Sequence, residues 1–256
     1  MGIVNATPDS FSDGNDRETP LDKALRLADE GADIIDIGGE STRPGAEAIS
    51  ADTEIARVLP FLTQLKKLRP EICVSTDTRK SCCAKVFLDN GADIINDVSG
   101  LTFSDDMAQI AASFDAGLII MHSFGGGKSE IRHTYSDTVS EVCSFLQKQF
   151  ELAVSCGADP QKIIVDPGLG FSKNTEENFT LLKNIKEFRK IAPVLIGHSR
   201  KRFIRDFSDI SNIGDCDGIS ALISVLASLD GANIVRVHNV KQTAMFLNIA
   251  EKIKEQ

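Results

Sequence analysis

Polar and charged side chains recur where short apolar runs stop. Asn5 closes GIVN (2–5), Asp77 closes ICVSTD (72–77), Asn96 and Asp97 lie near the end of DIINDV (93–98), and His122 ends GLIIMH (117–122). Asp166 ends KIIVD (162–166), and Arg236 and His238 fall along NIVRVH (233–238). An ionisable group at the tip of an apolar run sits against a low-dielectric core, where it is costly unless a partner or a ligand meets it. Any one of these residues could equally cap a helix or fix a loop. Asp97, and Asp36 within DIIDIG (33–38), read as structural in that sense. The pattern across most of the tips is harder to explain by capping alone. Two carboxylates and an amide (Asp77, Asp166 and Asn96) suit a flat heterocycle rich in N–H donors, such as a 2-amino-pyrimidinone edge, because carboxylates accept paired hydrogen bonds. Ser199, Arg200 and Lys201 follow PVLIG (193–197) and are expected to open a helix. With Arg236 and His238 they make a basic cluster fit for a phosphate or diphosphate. His198 reads as a packed histidine, and Arg202 and Arg205 as a solvated basic face.

The elements that must position these groups repeat along the chain. The six runs above, with DIIDIG and PVLIG, make eight candidate strands, rich in Ile and Val and without clean polar alternation, as in parallel sheets covered on both faces. Between them lie helical patterns. One spans 21–31, with Leu21, Ala24, Leu25 and Ala28 on one face; another spans 175–190, with Phe179, Leu182, Ile185 and Phe188. Several stop at a glycine (Gly31, Gly91, Gly157 and Gly231), which predicts a left-handed cap before the next strand. Eight βα units predict an α/β protein, a (β/α)₈ TIM barrel in a single domain over 1–256, whose strand tips converge on one face. An open doubly wound sheet competes, but no G-x-G-x-x-G follows the first run. Long irregular stretches near 7–20, 38–50 and 122–136 are candidate substrate loops.

Composition narrows the function. The chain has 256 residues and a formal net charge of -9, which argues against a general nucleic-acid or membrane-surface binder while leaving room for a local anion site. Its six cysteines form no C-x-x-C pair and read as reduced cytosolic thiols. No H-x-x-x-H or EF-hand pattern occurs; Asn5 could touch a Mg²⁺ otherwise held by water and phosphate oxygens.

Five segments occur in order: NATPDSFSDG (5–14), DTRK (77–80), DPGLGF (166–171), SRK (199–201) and RVH (236–238). Together they resemble the signature segments of the dihydropteroate synthase family, and the resemblance covers nearly the whole chain. It implies a transferase of folate biosynthesis, a (β/α)₈ barrel that usually works as a homodimer. The family condenses 7,8-dihydropterin-6-ylmethyl diphosphate with p-aminobenzoate to give 7,8-dihydropteroate and diphosphate, in the cytoplasm, with Mg²⁺ as cofactor. By motif, Asn5 resembles the Mg²⁺ contact, and Asn5, Thr42, Arg236 and His238 the diphosphate contacts. Asp77, Asn96, Met121, Asp166, Gly197 and Lys201 resemble the pterin contacts. Thr42, Arg43, Pro44, Phe171 and Ser199 resemble the p-aminobenzoate pocket, where sulfonamides act as mimics. Asp77, Asp166, Lys201, Asp9 and Phe11 form the implied catalytic set. Thr7, Pro8, Asp9, Ser10 and Phe11, with Ser41, Thr42, Arg43 and Pro44, resemble mobile loops that close the site.

The sequence departs from the family pattern at several places. Asn15 stands where glycine is common, Arg205 where glycine is frequent, and Asn239 where Asp usually follows RVH. The loop HSFGGGKSEIRH (122–133) lacks the usual G-x-P. The chain begins almost on its first strand, so either a leading segment was trimmed, perhaps in a fused folate-pathway protein, or the barrel base is closed differently. The alternatives are a methyltetrahydrofolate-dependent methyltransferase, a catalytically silent pterin-binding protein and a generic phosphosugar barrel.

Overall fold

Eight parallel strands alternate with helices through the computed structural model, which describes residues 1–6, 18–41, 46–125, 127, 133–208 and 212–254. In chain order they are β1 (Gly2–Asn5), α1 (Pro20–Asp29), β2 (Ile34–Gly38), α2 (Ala51–Leu68), β3 (Cys73–Asp77), α3 (Ser81–Asp89) and β4 (Ile94–Asp97). Then come α4 (Met107–Ser113), β5 (Gly117–Met121), α5 (Thr138–Ser155), β6 (Ile163–Asp166), α6 (Thr175–Lys183) and α7 (Ile185–Phe188). The chain finishes with β7 (Leu195–Ile196), α8 (Arg202–Ser208), α9 (Cys216–Leu229), β8 (Ile234–Val235) and α10 (Val240–Lys254).

Strands β1 to β6 form one continuous parallel sheet, and β7 pairs with β8. Two single bridges, Val165 to Val194 and Gly2 to Val237, join these pieces into a closed ring. The barrel expected from the eight repeated units is therefore present.

Two apolar layers follow from strand alternation. Outward residues such as Ile35, Ile37, Val74, Ile95, Leu118 and Val165 pack against helix residues including Leu27, Leu62, Leu65, Phe87 and Phe188. Each such fully buried side chain contributes about 1.5–3 kcal/mol relative to exposure. Inside the barrel, Met1, Ile94, Ile119 and Leu195 pack with Ile34, Cys73, Ile164 and Ile234 and fill the base. Met1, just before β1, is part of this layer.

Local chemistry sets the helix ends. Thr19 and Asp22 form a reciprocal capping box ahead of α1, with Pro20 at its first turn. Asn174 and Glu177 do the same for α6. Gly31, Gly91, Gly157 and Gly231 all have φ between 97° and 105°, the left-handed caps predicted from the repeated glycines. The pattern over 175–190 is not one helix. It breaks at Asn184 (φ -118°, ψ 28°), whose side-chain amide donates to the Thr180 carbonyl and competes with the backbone ladder.

Candidate active site

Strand register decides which side chains meet inside the barrel. Asn5, Gly38, Asp77 and Asn96 are successive partners across β1–β4, so they share one level of the inner face. Ile3, Asp36, Ser75 and Ile94 form the level beneath. On the far side Met121 is paired with Asp166.

Arg236 ties the two levels together. Its Nε donates to Asp36 at 2.6 Å and an Nη to Asp77 at 2.9 Å, while the Asn96 amide donates to Asp36 at 3.2 Å. Burial works against the charge on Arg236, but Asp36 and Asp77 outweigh it and raise its pKa. Burial pushes Asp77 up to about 7, with Arg236 pulling the other way and Asp36 adding repulsion. Asp166 is also raised by burial, against the pull of Lys201. Its Oδ1 accepts the Gly168 N–H at 2.8 Å, and its Oδ2 lies on the side of Gly197. Lys201 is pushed down to about 8 by burial, with Asp166 opposing. Its ammonium lies 4.6 Å from the centre of the Phe171 ring and donates to the Leu169 carbonyl. Val98, Met121 and Phe171 form a small apolar cluster of their own beside these groups. The result is a cup with acceptor side chains on its floor, an apolar patch on its wall and cations interleaved. A planar donor-rich ring fits such a lining.

The loop 167–172 completes the wall by close approach. Gly168 (φ +68°) carries its backbone against β5, and a Cβ there would lie 1.9 Å from the His122 carbonyl oxygen. We predict that Gly168→Ala destabilises the protein by more than about 3 kcal/mol, combining left-handed strain with a clash against backbone. Gly218→Ala, in α9, should be neutral or stabilise by up to about 1 kcal/mol, because only the tip of Gln242 is near. Urea denaturation of both variants checks the contrast, and equal midpoints would refute it.

The expected site residues divide into three groups. Asp77, Asn96, Met121, Asp166, Gly197, Lys201 and Phe171 come together as described. Ser199 and His238 form a neighbouring pair, the hydroxyl accepting the His238 N–H at 3.2 Å and lying 3.1 Å from its Nδ1. Asn5 ends β1 on the level of Asp77. Thr7, Pro8, Asp9, Ser10, Phe11, Thr42, Arg43 and Pro44 lie outside the described residues.

Several expectations need correction. Arg236 is not a free cation beside His238: it forks between the carboxylates of Asp36 and Asp77, with 19% of its side chain still exposed. Asp36, read as merely structural, faces inward and holds that guanidinium. Residues 199–201 form a turn that runs directly into α8 at Arg202. Arg200 (φ +58°) turns away and forks onto Asp217 at 2.8 and 2.9 Å. Arg205 is half-buried, unlike exposed Arg202, which pairs with Asp206. His198 is packed as expected, 2.8 Å from the Ser220 carbonyl. Asp97 is structural as expected, accepting from the Ser99 and Leu101 N–H groups and the Ser99 hydroxyl. Asn239, where the family pattern has Asp, donates to Asp217 and caps the start of α10.

Sequence reasoning missed two groups. Lys80 bridges Glu40 and buried Glu54, and Arg79 pairs with Glu40 at 2.7 Å, which binds the loop after β3 to the start of the 41–46 stretch. Lys173 is half-buried against the loop 167–172. The basic pair in DTRK was a usable signal for the first; only GFSK marked the second.

This closed barrel with a carboxylate-lined cup defines a class: residues 1–238 match the pterin binding enzyme family, and the chain belongs to it. Relatives narrow the placement. The chain is 39% identical over 258 residues to the dihydropteroate synthase of Synechocystis sp., covering 99% of this chain and 89% of that protein. It is 41% identical over 259 residues to a probable bifunctional folylpolyglutamate synthase/dihydropteroate synthase of Haloferax volcanii, covering 98% of this chain and 30% of that protein. The Xanthomonas albilineans dihydropteroate synthase with 4-aminobenzoic acid superposes with a TM-score of 0.93 at 36% identity, over 100% of this chain and 93% of that one. The particular grouping within the family is with the dihydropteroate synthases.

Proposed function

We infer that the protein is a dihydropteroate synthase, a transferase of folate biosynthesis. It condenses 7,8-dihydropterin-6-ylmethyl diphosphate with p-aminobenzoate to give 7,8-dihydropteroate and diphosphate. The observation that carries the reading is the joint inward placement of Asp77, Asn96, Asp166, Lys201 and Arg236 in one cup, in a chain whose relatives bear that name along its whole length.

Asp77, Asn96 and Asp166 take the pterin edge, with Met121 against the ring face, and Gly197 leaves the space it needs. The negative carboxylates also favour the positive charge that builds on the ring and its exocyclic carbon as the C–O bond to diphosphate breaks. The neutral amine then forms the new C–N bond and loses a proton. Phe171 and Ser199, with Thr42, Arg43 and Pro44, make the p-aminobenzoate side; Asp9 and Phe11 belong to the closing loop that keeps water from the cation. Arg236, His238 and Asn5 face the leaving diphosphate. A Mg²⁺ ion suits a single amide oxygen such as that of Asn5 when phosphate oxygens and water complete its shell; bound there, it would offset charge on the departing group. Among the described residues no cluster of three His, Cys, Asp or Glu side chains is found.

Incubation with the pterin diphosphate, p-aminobenzoate and Mg²⁺ should yield dihydropteroate and diphosphate in equal amounts. Absence of dihydropteroate would sink the reading. Chelation should stop turnover and added Mg²⁺ restore it; indifference to the chelator would remove the metal.

The expected homodimer has a surface to form on. Leu222, Leu226 and Leu229 of α9 and Met245, Ile249 and Ile253 of α10 are about half exposed or more, and α9 and α10 pack side by side. Contiguous apolar area of this kind marks association surfaces. The double variant Leu226→Glu with Ile249→Glu should sediment as a monomer while the parent sediments as a dimer. A parent that is monomeric at micromolar concentration would refute the proposal. All six cysteines are unpaired, which accords with a reducing cytoplasm, and no described helix is long and apolar enough to cross a membrane.

A further inference from the structure

Lys173 follows the loop 167–172 and has no part in the chemistry so far described. Its ammonium makes three contacts of 3.0 Å: to the Gly168 carbonyl, to the Phe171 carbonyl and to Nδ1 of His122. His122 follows inward-facing Met121 at the end of β5 and is itself buried, edge-on to Phe124 and to Phe145 of α5. Burial pushes His122 down to about 3, so its imidazole is neutral and Nδ1 is available as an acceptor. Burial also pushes Lys173 down to about 7, with Asp166 opposing, and its protonated form has three donors, each with a partner here. Lys201 makes the complementary contact, donating to the Leu169 carbonyl from the other side. Gly170 is pressed against the Lys201 stem, since a Cβ there would lie 2.8 Å from it, and the Gly170 N–H is held by Asn178 at 2.6 Å. Two half-buried lysines therefore grip three carbonyls of one six-residue loop, those of Gly168, Leu169 and Phe171. Both the apolar face of Phe171 and the reach of Lys201 depend on that loop's shape.

We propose that Lys173, seated on His122, is the positioning residue that fixes the loop 167–172, and so sets the p-aminobenzoate side of the cup through Phe171. The inference rests on the functional reading above for its link to the amine, but not for its link to the loop. Lysine is the residue that fits because its three donors meet two carbonyls and a ring nitrogen arranged around one point. Methionine fills the same volume and offers none of them.

Lys173→Met should raise the KM for p-aminobenzoate at least tenfold, while the Kd for the pterin diphosphate, measured without the amine, moves less than threefold. A residue with only a general structural role would weaken both alike. If Lys173→Met does not fold, His122 supplies the second test. His122→Asn keeps an acceptor near the Nδ1 position and should stay within threefold of the parent KM; His122→Leu should show the Lys173→Met defect. Hydrogen–deuterium exchange of a peptide spanning 167–172 gives a readout independent of catalysis, and it should quicken at least tenfold in Lys173→Met or His122→Leu. Unchanged exchange, an unchanged amine KM, or equal losses for both substrates would overturn the proposal. A parent enzyme that makes no dihydropteroate would sink the functional reading alone, leaving exchange to decide the role of Lys173.

Discussion

Arg236→Met should cost about 3–5 kcal/mol of folding free energy and reduce turnover below detection. The guanidinium is the shared partner of Asp36 and Asp77, so its loss leaves two carboxylates at the barrel floor without their cation. The deficit should also depend on pH in a defined direction. Burial already lifts Asp77 to about 7 with Arg236 pulling down; without that pull its pKa rises further. A carboxyl raised above its unfolded value of about 3.9 holds its proton longer in the folded state than in the unfolded one. The folded state then binds more protons, so stability falls as pH rises from about 4 through and beyond 7. Urea denaturation of parent and variant at pH 5 and pH 8 checks this: the gap should widen at the higher pH. A gap that narrows would mean that the two carboxylates draw their compensation from elsewhere.

Asp166→Asn should leave the fold intact and remove pterin affinity by about 10³-fold, or ~4 kcal/mol. The asparagine oxygen can keep the bond from the Gly168 N–H, so the loop survives. The second oxygen, on the Gly197 side, becomes an NH₂ donor facing a ring edge that also donates. Loss of the charge has a second effect, because Asp166 is the largest of the groups opposing burial at both Lys201, with Asp77, and Lys173, with Glu177. Both lysines should then lose protons at lower pH than in the parent. Calorimetric titration with a pterin, paired with far-UV circular dichroism, separates lost binding from lost fold. Retained micromolar binding would show that Asp166 is not the ring's acceptor.

Much of this site was legible because a parallel strand has a simple rule: it is apolar along its length and ends where chemistry begins. Asp77, Asn96 and Asp166 stood out by that rule, and the register put them on one inner face. The glycine caps were legible because a left-handed turn explains the glycine that recurs after four of the helices. Other features depend on contacts between distant residues, which no local pattern encodes. Asp36 lies 200 positions from Arg236, and in sequence it is one aspartate in an apolar run. Lys173 looks like any surface lysine until β5 is laid beside the loop after β6. Arg200 and Lys201 are neighbours of the same charge, yet Arg200 takes a left-handed backbone and leaves for Asp217 while Lys201 turns inward. Helical periodicity over 175–190 was real, but Asn184 offered the backbone an alternative partner that periodicity does not count.

The sheet is not equally stitched around its circumference. Six strands of four or five residues form one ladder, whereas β7 and β8 have two residues each and meet their neighbours through a lone bridge on either side. Gly197, Ser199, Lys201, Arg236 and His238 all belong to that lightly fastened quarter. The groups proposed to face the anion therefore stand on the sparsely laddered part of the ring, while the proposed pterin acceptors Asp77 and Asp166 end strands of the continuous six-stranded sheet.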